Sequence, residues 1–313
     1  MIDTVFDTRR LGDSEILTLG KSHTLEWNTL PLFMSPDDKN YDTRLKYFKE
    51  IYSGLKGYPE ILQIGPTDFG YSEAISIIGQ ARSNYLVNIN KWIMPLDMEG
   101  RDITKQDSGQ YTTHHILTTG ISNQEILAAC RTITSPPVKN VDDLPFLATN
   151  ELNGLTLNGN LPSVNDVLEI KMESDIRLRD AVQNGRIATI ERLVPTILTS
   201  YIASGEPRRT VSFAQASIGA VAVSAAAYLR SKEVSHIILQ ADDRYKKHYQ
   251  ETLGIPDKQV ICERTHFLND GTPDPCHTMI LDLEEAEEFT RVHNPPVYAF
   301  YMSELSTFSS QIL

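Results

Sequence analysis

The chain has little of several things, and each scarcity narrows the reading. Its 313 residues hold three cysteines, Cys130, Cys262 and Cys276, an odd number at long spacings that does not read as a disulfide framework and fits a reducing compartment. No run of about 18 uninterrupted apolar residues is present to cross a bilayer, and the opening MIDTVFDTRRLGDSEIL lacks the basic-then-apolar layout of a secretory signal. A cytoplasmic protein without a membrane span is therefore expected. Basic residues are in deficit, 29 Lys and Arg against 41 Asp and Glu, and the net charge of -12 argues against general binding of duplex nucleic acid or an anionic membrane. There is no Gly-x-Ser-x-Gly, no Walker sequence, no Gly-x-Gly-x-x-Gly, no internal repeat and no low-complexity tract. Serine-hydrolase and simple nucleotide-binding readings lose their usual motifs.

The charge that is present is unevenly placed. Lys171 to Gln250 carries twelve basic and eight acidic residues, a basic window in an acidic chain. Such a face suits an anionic ligand or partner, or is a solvated mixed surface.

Hydrophobic spacing sets the expected architecture. Residues 1–70 mix aromatic and polar residues without strand alternation, apart from a helix in TRLKYFKEIYSGLKG that Gly57 would stop, and read as an N-terminal extension packing on the core. From residue 71 to 313 the pattern is that of one α/β (α+β) domain. A helix carries Ile75, Ile78, Arg82, Tyr85 and Leu86 on one face and ends near Asn88. HHILTT and EILAACRTITS follow as antiparallel strands, and RIATIERLV as a further strand. Next come a long Ala-rich helix from about Ser212 to Lys232, the strand HIILQ, a helix in DRYKKHYQETL, the strands KQVICE and HTMILDL, an acidic helix, and a strand-like VYAFYM. The order predicts a mixed, mostly antiparallel sheet flanked by helices.

Two stretches carry a family resemblance. VSHIILQADDRYKKHYQETLGI, Val234 to Ile255, resembles the strand and helix that close the acyl-thioester site of the GCN5-related N-acetyltransferase (GNAT) superfamily, with Tyr249-x3-Leu253-Gly254-Ile255 as its core. Upstream, AISIIGQARSNYLVNINKWIMPLDMEGRDITKQDSGQYTTHHIL resembles the N-terminal half of acyl-homoserine-lactone synthases and long-chain N-acyl amino acid synthases, a branch of the same superfamily. Arg82, Tyr85, Trp92, Asp102, Asp107 and Arg131 match their helix, aromatic, tryptophan, acidic loop and strand arginine in order, and Glu191 with Arg192 resembles their Glu-Arg strand. The departures are a wider acidic loop, Glu99-x2-Asp102-x4-Asp107, a Glu191 directly followed by Arg192, and a phosphate-cradling loop reduced to Gln215-x3-Gly219-Ala220.

The resemblance implies a GNAT-like sheet and transfer of an acyl group from a coenzyme A or acyl carrier protein thioester, used as co-substrate, to the amine of a small amino-acid-like acceptor. It implies no permanently bound cofactor and no metal. Alternatives are an autoinducer synthase acting on S-adenosylmethionine, an aminoacyl-tRNA-dependent transferase, and a non-catalytic binding protein of the same fold. Glu191 is the expected proton acceptor, or else a carboxylate paired with Arg192 or Arg186; Tyr249 is the expected partner of the departing sulfur, or else a core tyrosine. Arg82, Tyr85, Trp92, Asp102, Asp107, Arg131 and Arg192 would bind the acceptor, with carboxylates on an amino group and arginine on a carboxylate. Gln215, Gly219, Arg208 and Arg209 would bind the donor. A carbonyl-polarising backbone N–H is expected near Val194 to Thr196, where Pro195 disrupts a strand. Adjacent His114 and His115, on one strand, would face opposite ways, so at most one serves a site. The pairs Cys262-x3-His266 and Cys276-His277 do not read as a zinc site, because adjacent Cys and His rarely ligate one metal.

Overall fold

The computed structural model describes residues 21–34, 39–55, 57–68, 71–89, 96–119, 126–146, 164–195, 207–242, 260–267 and 272–311. Its strands are β1 (Lys21–Thr24), β2 (Pro59–Ile64), β3 (Thr112–Thr119), β4 (Ile126–Thr134), β5 (Ile187–Pro195), β6 (His236–Asp242), β7 (Val260–Phe267) and β8 (Pro273–Asp282). They belong to one sheet in the order β1-β2-β3-β4-β5-β6-β8-β7. The pairs β1–β2, β2–β3, β6–β8 and β7–β8 are antiparallel and β5–β6 is parallel, so the sheet is mixed and mostly antiparallel, as predicted.

The described helices are α1 (Tyr41–Gly54), α2 (Tyr71–Ser83), α3 (Val164–Ser174), α4 (Ile176–Gln183), α5 (Pro207–Ser231), α6 (Leu283–His293) and α7 (Pro295–Ser310). The 25 residues of α5 lie between the parallel strands β5 and β6, the kind of crossover that parallel neighbours require. By length and composition Ser212–Ser231 would suffice to span a bilayer, but 83% of its apolar 18-residue window is buried inside the protein, and its Ala and Val side chains serve the core.

The chain clusters into two compact units, the first from Met1–Asn90, Met94–Cys130 and Arg192–Val221, the second from Lys91–Ile93, Arg131–Glu191 and Ala222–Leu313. In the first, Trp27 stacks on Tyr52, and Phe48 stacks on Phe213 of α5 at 5.0 Å between ring centres. Gly219 makes the close approach possible: a Cβ there would stand 2.7 Å from Phe33. In the second, Asp175 caps α4, Asp282 caps α6, and Asn294 with two prolines opens α7.

Two readings of the sequence are corrected. PEILQI is a strand, buried at five of its six positions, and that burial on both faces removed the alternation by which a half-exposed strand is recognised. VYAFYM is helical, inside α7, because Asn294 accepts the Val297 N–H and Pro295 and Pro296 occupy the first helical positions.

Candidate functional site

The acidic loop is built onto α2. Gly79 lies one turn before Arg82, and a Cβ at Gly79 would stand 2.7 Å from Ile103, so only glycine lets the loop pass this close. The Asp102 N–H donates to the Gly79 carbonyl at 3.0 Å, the Ser83 hydroxyl donates to the Gly100 carbonyl at 2.8 Å, and Arg101 donates to Ser76 at 2.7 Å. Asp97 ties the turn by accepting from the Glu99 and Arg101 N–H groups, with Gly100 at φ 76 where a left-handed residue is needed. The Arg101 N–H, first among these donors, holds the Asp97 carboxyl below its usual range. Beyond Ser83 the helix widens into a π-helical segment, Asn84–Ile89, which carries a buried Tyr85.

This scaffold delivers Arg82, Asp102 and Asp107 to one buried place within the first unit, where their exposures are 1%, 0% and 1%. Arg82 Nη2 donates to the Asp102 carbonyl at 2.7 Å and to Asp107 Oδ1 at 3.0 Å, and its Nε lies 3.3 Å from Asp102 Oδ2. Arg192, from β5, brings its Nε to the same Asp102 oxygen, also at 3.3 Å. Asp107 is held from its other side by Thr104, whose N–H and hydroxyl donate to Oδ2 at 2.7 and 3.1 Å. Two arginines thus balance two aspartates. The balance is incomplete in hydrogen bonds: both carboxylate oxygens of Asp102, and Nε and Nη1 of Arg82, are buried without one, although Nε and Oδ2 face each other at 3.3 Å. A buried carboxylate without hydrogen bonds is costly, and the two guanidinium groups 3.3 Å from Oδ2 offset part of that cost by their charge.

Arg192 stands at φ 53, a conformation rare for a residue with a side chain, in the middle of β5. The register of β5 with β6 runs from Ile187↔His236 to Ile190↔Leu239, immediately before Glu191 and this distortion. Pro195 ends the strand, and the left-handed residue Arg192 lies three residues before it.

In the second unit Arg131 and Glu191 form a close pair at 2.6 Å, with Arg131 sealed at 3% and Glu191 28% exposed. Glu191 is bonded neither to Arg192 nor to Arg186, its sequence neighbours, but to a residue 60 positions away.

The donor residues fall differently from expectation. Gln215 and Gly219 lie inside α5, not in a loop before it, and the N–H groups of a helix interior are committed to its own ladder. Gln215 accepts from Arg44 at 2.9 Å, and Gly219 receives Phe33. Both residues therefore lie where α5 meets residues of the N-terminal segment. Arg208 and Arg209 stand in the first turn of α5, where backbone N–H groups have no intrahelical acceptor. Trp92 and Tyr249 lie outside the described residues.

Strand alternation separates the two histidines. His114 lies by Asp107, whereas His115 is registered opposite Gln63 of β2; burial, then His23, pushes the His115 pKa down to about 3. His114 is one of the adjacent pair of which at most one was expected to serve a site, whereas nothing in the sequence singles out Tyr71, although the 104–107 spacing of a hydroxyl and a carboxylate is a capping signature that points at Asp107. Among the described residues no group of three or more His, Cys, Asp or Glu is placed to hold a metal ion.

No protein-family model matches the chain, and no curated protein matches it significantly. Among solved structures it is similar to MesI, a CoA-dependent acyl-homoserine lactone synthase, at 12% identity and a TM-score of 0.40, over 78% of this chain and 94% of that one. It is similar also to BjaI, another CoA-dependent acyl-homoserine lactone synthase, solved with MTA, at 11% identity and TM-score 0.42, over 73% and 86%. TofI, solved in a ternary complex with an inhibitor and MTA, is similar at 13% identity and TM-score 0.38, over 73% and 93%.

Proposed function

We propose that the protein is an N-acyltransferase that moves an acyl group from a thioester to the amine of a small amino-acid-like acceptor. The observation that carries this reading is Asp102, fully buried, with Oδ2 3.3 Å from both Arg82 Nε and Arg192 Nε and Oδ1 without a hydrogen bond. A carboxylate next to two guanidinium groups suits a zwitterion: Asp102 takes the ammonium, and Arg192, 16% exposed, takes the carboxylate. The ordered motifs from Arg82 to Arg192 support the same reading, with Asp107, Tyr85, Trp92 and Arg131 completing the acceptor residues.

In the reaction Glu191 accepts a proton from the acceptor ammonium, directly or through water, and the freed amine attacks the thioester carbonyl carbon. The C–N bond forms as the C–S bond breaks, and the second proton lost by the nitrogen replaces the one taken up by the leaving thiolate. A backbone N–H at the distortion of β5 polarises the carbonyl oxygen, and Tyr249 donates to the leaving sulfur. The donor arrives on coenzyme A or an acyl carrier protein, with Arg208, Arg209 and the unspent N–H groups of the first turn of α5 meeting its phosphate. Residues 1–70 serve as an added segment that packs on α5 through Phe33 and Arg44.

The test is thiol release from a panel of acyl-CoA and acyl carrier protein thioesters, with S-adenosylmethionine and single amino acids as acceptors, in wild type and Glu191→Gln. Acceptor-dependent release that falls about 100-fold or more in the variant supports the reading. No release from any donor, with an acceptor still bound, establishes a binding protein instead.

A further inference from the structure

We propose that Tyr71 and His114 are positioning residues for the acceptor site, acting through Asp107; this rests on the acceptor reading above. Both are buried in the first unit, Tyr71 at 9% exposure and His114 at 0%. The Tyr71 hydroxyl donates to the Asp107 carbonyl. Its proton is thereby committed, so the contact of 3.1 Å between Tyr71 Oη and His114 Nε2 is one in which the ring nitrogen donates. This fixes a hydrogen on His114 Nε2, which also lies 3.5 Å from Asp107 Oδ1. The relay has one direction, from imidazole to phenol to the Asp107 backbone, and the two rings pack at 5.7 Å between centres.

Its consequence lies one residue further on. Asp107 is gripped at its carbonyl by Tyr71, at Oδ2 by Thr104 and at Oδ1 by Arg82 Nη2, with His114 alongside. The same Nη2 reaches the Asp102 carbonyl, so the orientation of Arg82, and with it the approach of Nε to Asp102 Oδ2, depends on where Asp107 is held. Neither Tyr71 nor His114 need touch the acceptor. Loosening them lets the guanidinium turn from Oδ2 toward Oδ1 of Asp102, which has no hydrogen bond, and compete there with the acceptor ammonium.

The readout is the split between kcat and the two KM values. Tyr71→Phe deletes one oxygen and keeps the ring. It is expected to raise the KM for the acceptor about tenfold, the scale of one lost hydrogen bond, while kcat and the thioester KM stay near wild type. The acceptor probes are S-adenosylmethionine and each amino acid separately, at saturating acyl-CoA. His114→Gln, whose amide N–H can take the place of Nε2–H, is expected to keep the acceptor KM, and His114→Leu to raise it. That second pair decides the matter if Tyr71→Phe does not fold. An unchanged acceptor KM in Tyr71→Phe and His114→Leu, or an equal rise in both KM values with a lowered melting temperature, overturns the positioning role and leaves the acyltransferase reading standing. Wild-type protein that transfers no acyl group removes the acyltransferase reading, and the positioning role falls with it.

Discussion

Arg82 with Asp107 in the first unit and Arg291 with Glu288 in the second are the same chemical pair in opposite surroundings. The second is the shorter, 2.6 Å against 3.0 Å, yet its side chains are 53% and 63% exposed, whereas those of the first are 1% and 2% exposed. Distance therefore ranks them wrongly. Water and salt screen the Arg291 pair, and two long side chains must be ordered to form it; nothing screens the Arg82 pair, and neither of its members can be left alone. The buried pair also carries what the exposed one lacks, a neighbouring carboxylate with unspent acceptors. Burial turns an ordinary ion pair into one that is costly to break.

The largest effect expected from breaking this comparison is at Arg82. Arg82→Met leaves Asp102 and Asp107 sealed without that guanidinium and should cost about 3–5 kcal/mol of stability by urea denaturation. Adding Asp102→Asn to it should recover part of that loss, because one uncompensated charge is removed, and full additivity of the two losses would contradict the coupling.

An intermediate effect is expected at His115, where burial acts on a group that titrates. Below pH 6.5 the unfolded chain takes up a proton at this histidine that the folded chain refuses until about pH 3, so stability falls as the pH drops through that window. In His115→Gln the loss of melting temperature between pH 6.5 and 3 should be shallower than in wild type; identical slopes would assign the acid sensitivity elsewhere. The smallest effect is at the exposed pair. Arg291→Ala should leave the melting temperature and its salt dependence indistinguishable from wild type, and a clear drop would show that exposure does not separate the two pairs.

Much of this arrangement is legible along the chain wherever one element carries the signal. The helix bearing Arg82, the strands holding His114 and Arg131, and the strand with Glu191 all stand where periodicity and branched residues place them. The strand β2 is not legible because its burial is nearly continuous, and α7 because its aromatic run outweighed the Asn-Pro-Pro start signal. Within the site, the Asp102 and Asp107 spacing points to a pair of carboxylates, but their sealing by Arg82 depends on Gly79 admitting the loop. The Arg131 bond to Glu191 joins residues 60 apart, and the positive φ of Arg192 is a backbone state no residue type announces. That Gly219 admits Phe33 is likewise not announced by the spacing of Gln215 and Gly219.

The central claim is that Asp102, sealed between two arginines, binds the acceptor amine. The most direct measurement is acceptor-dependent thiol release, with the mass of the acylated product, for wild type and Asp102→Asn side by side across the acceptor panel. The account predicts an N-acylated product from wild type and a rise of about tenfold or more in acceptor KM for the folded variant. Acyl transfer by Asp102→Asn with an unchanged acceptor KM would contradict it.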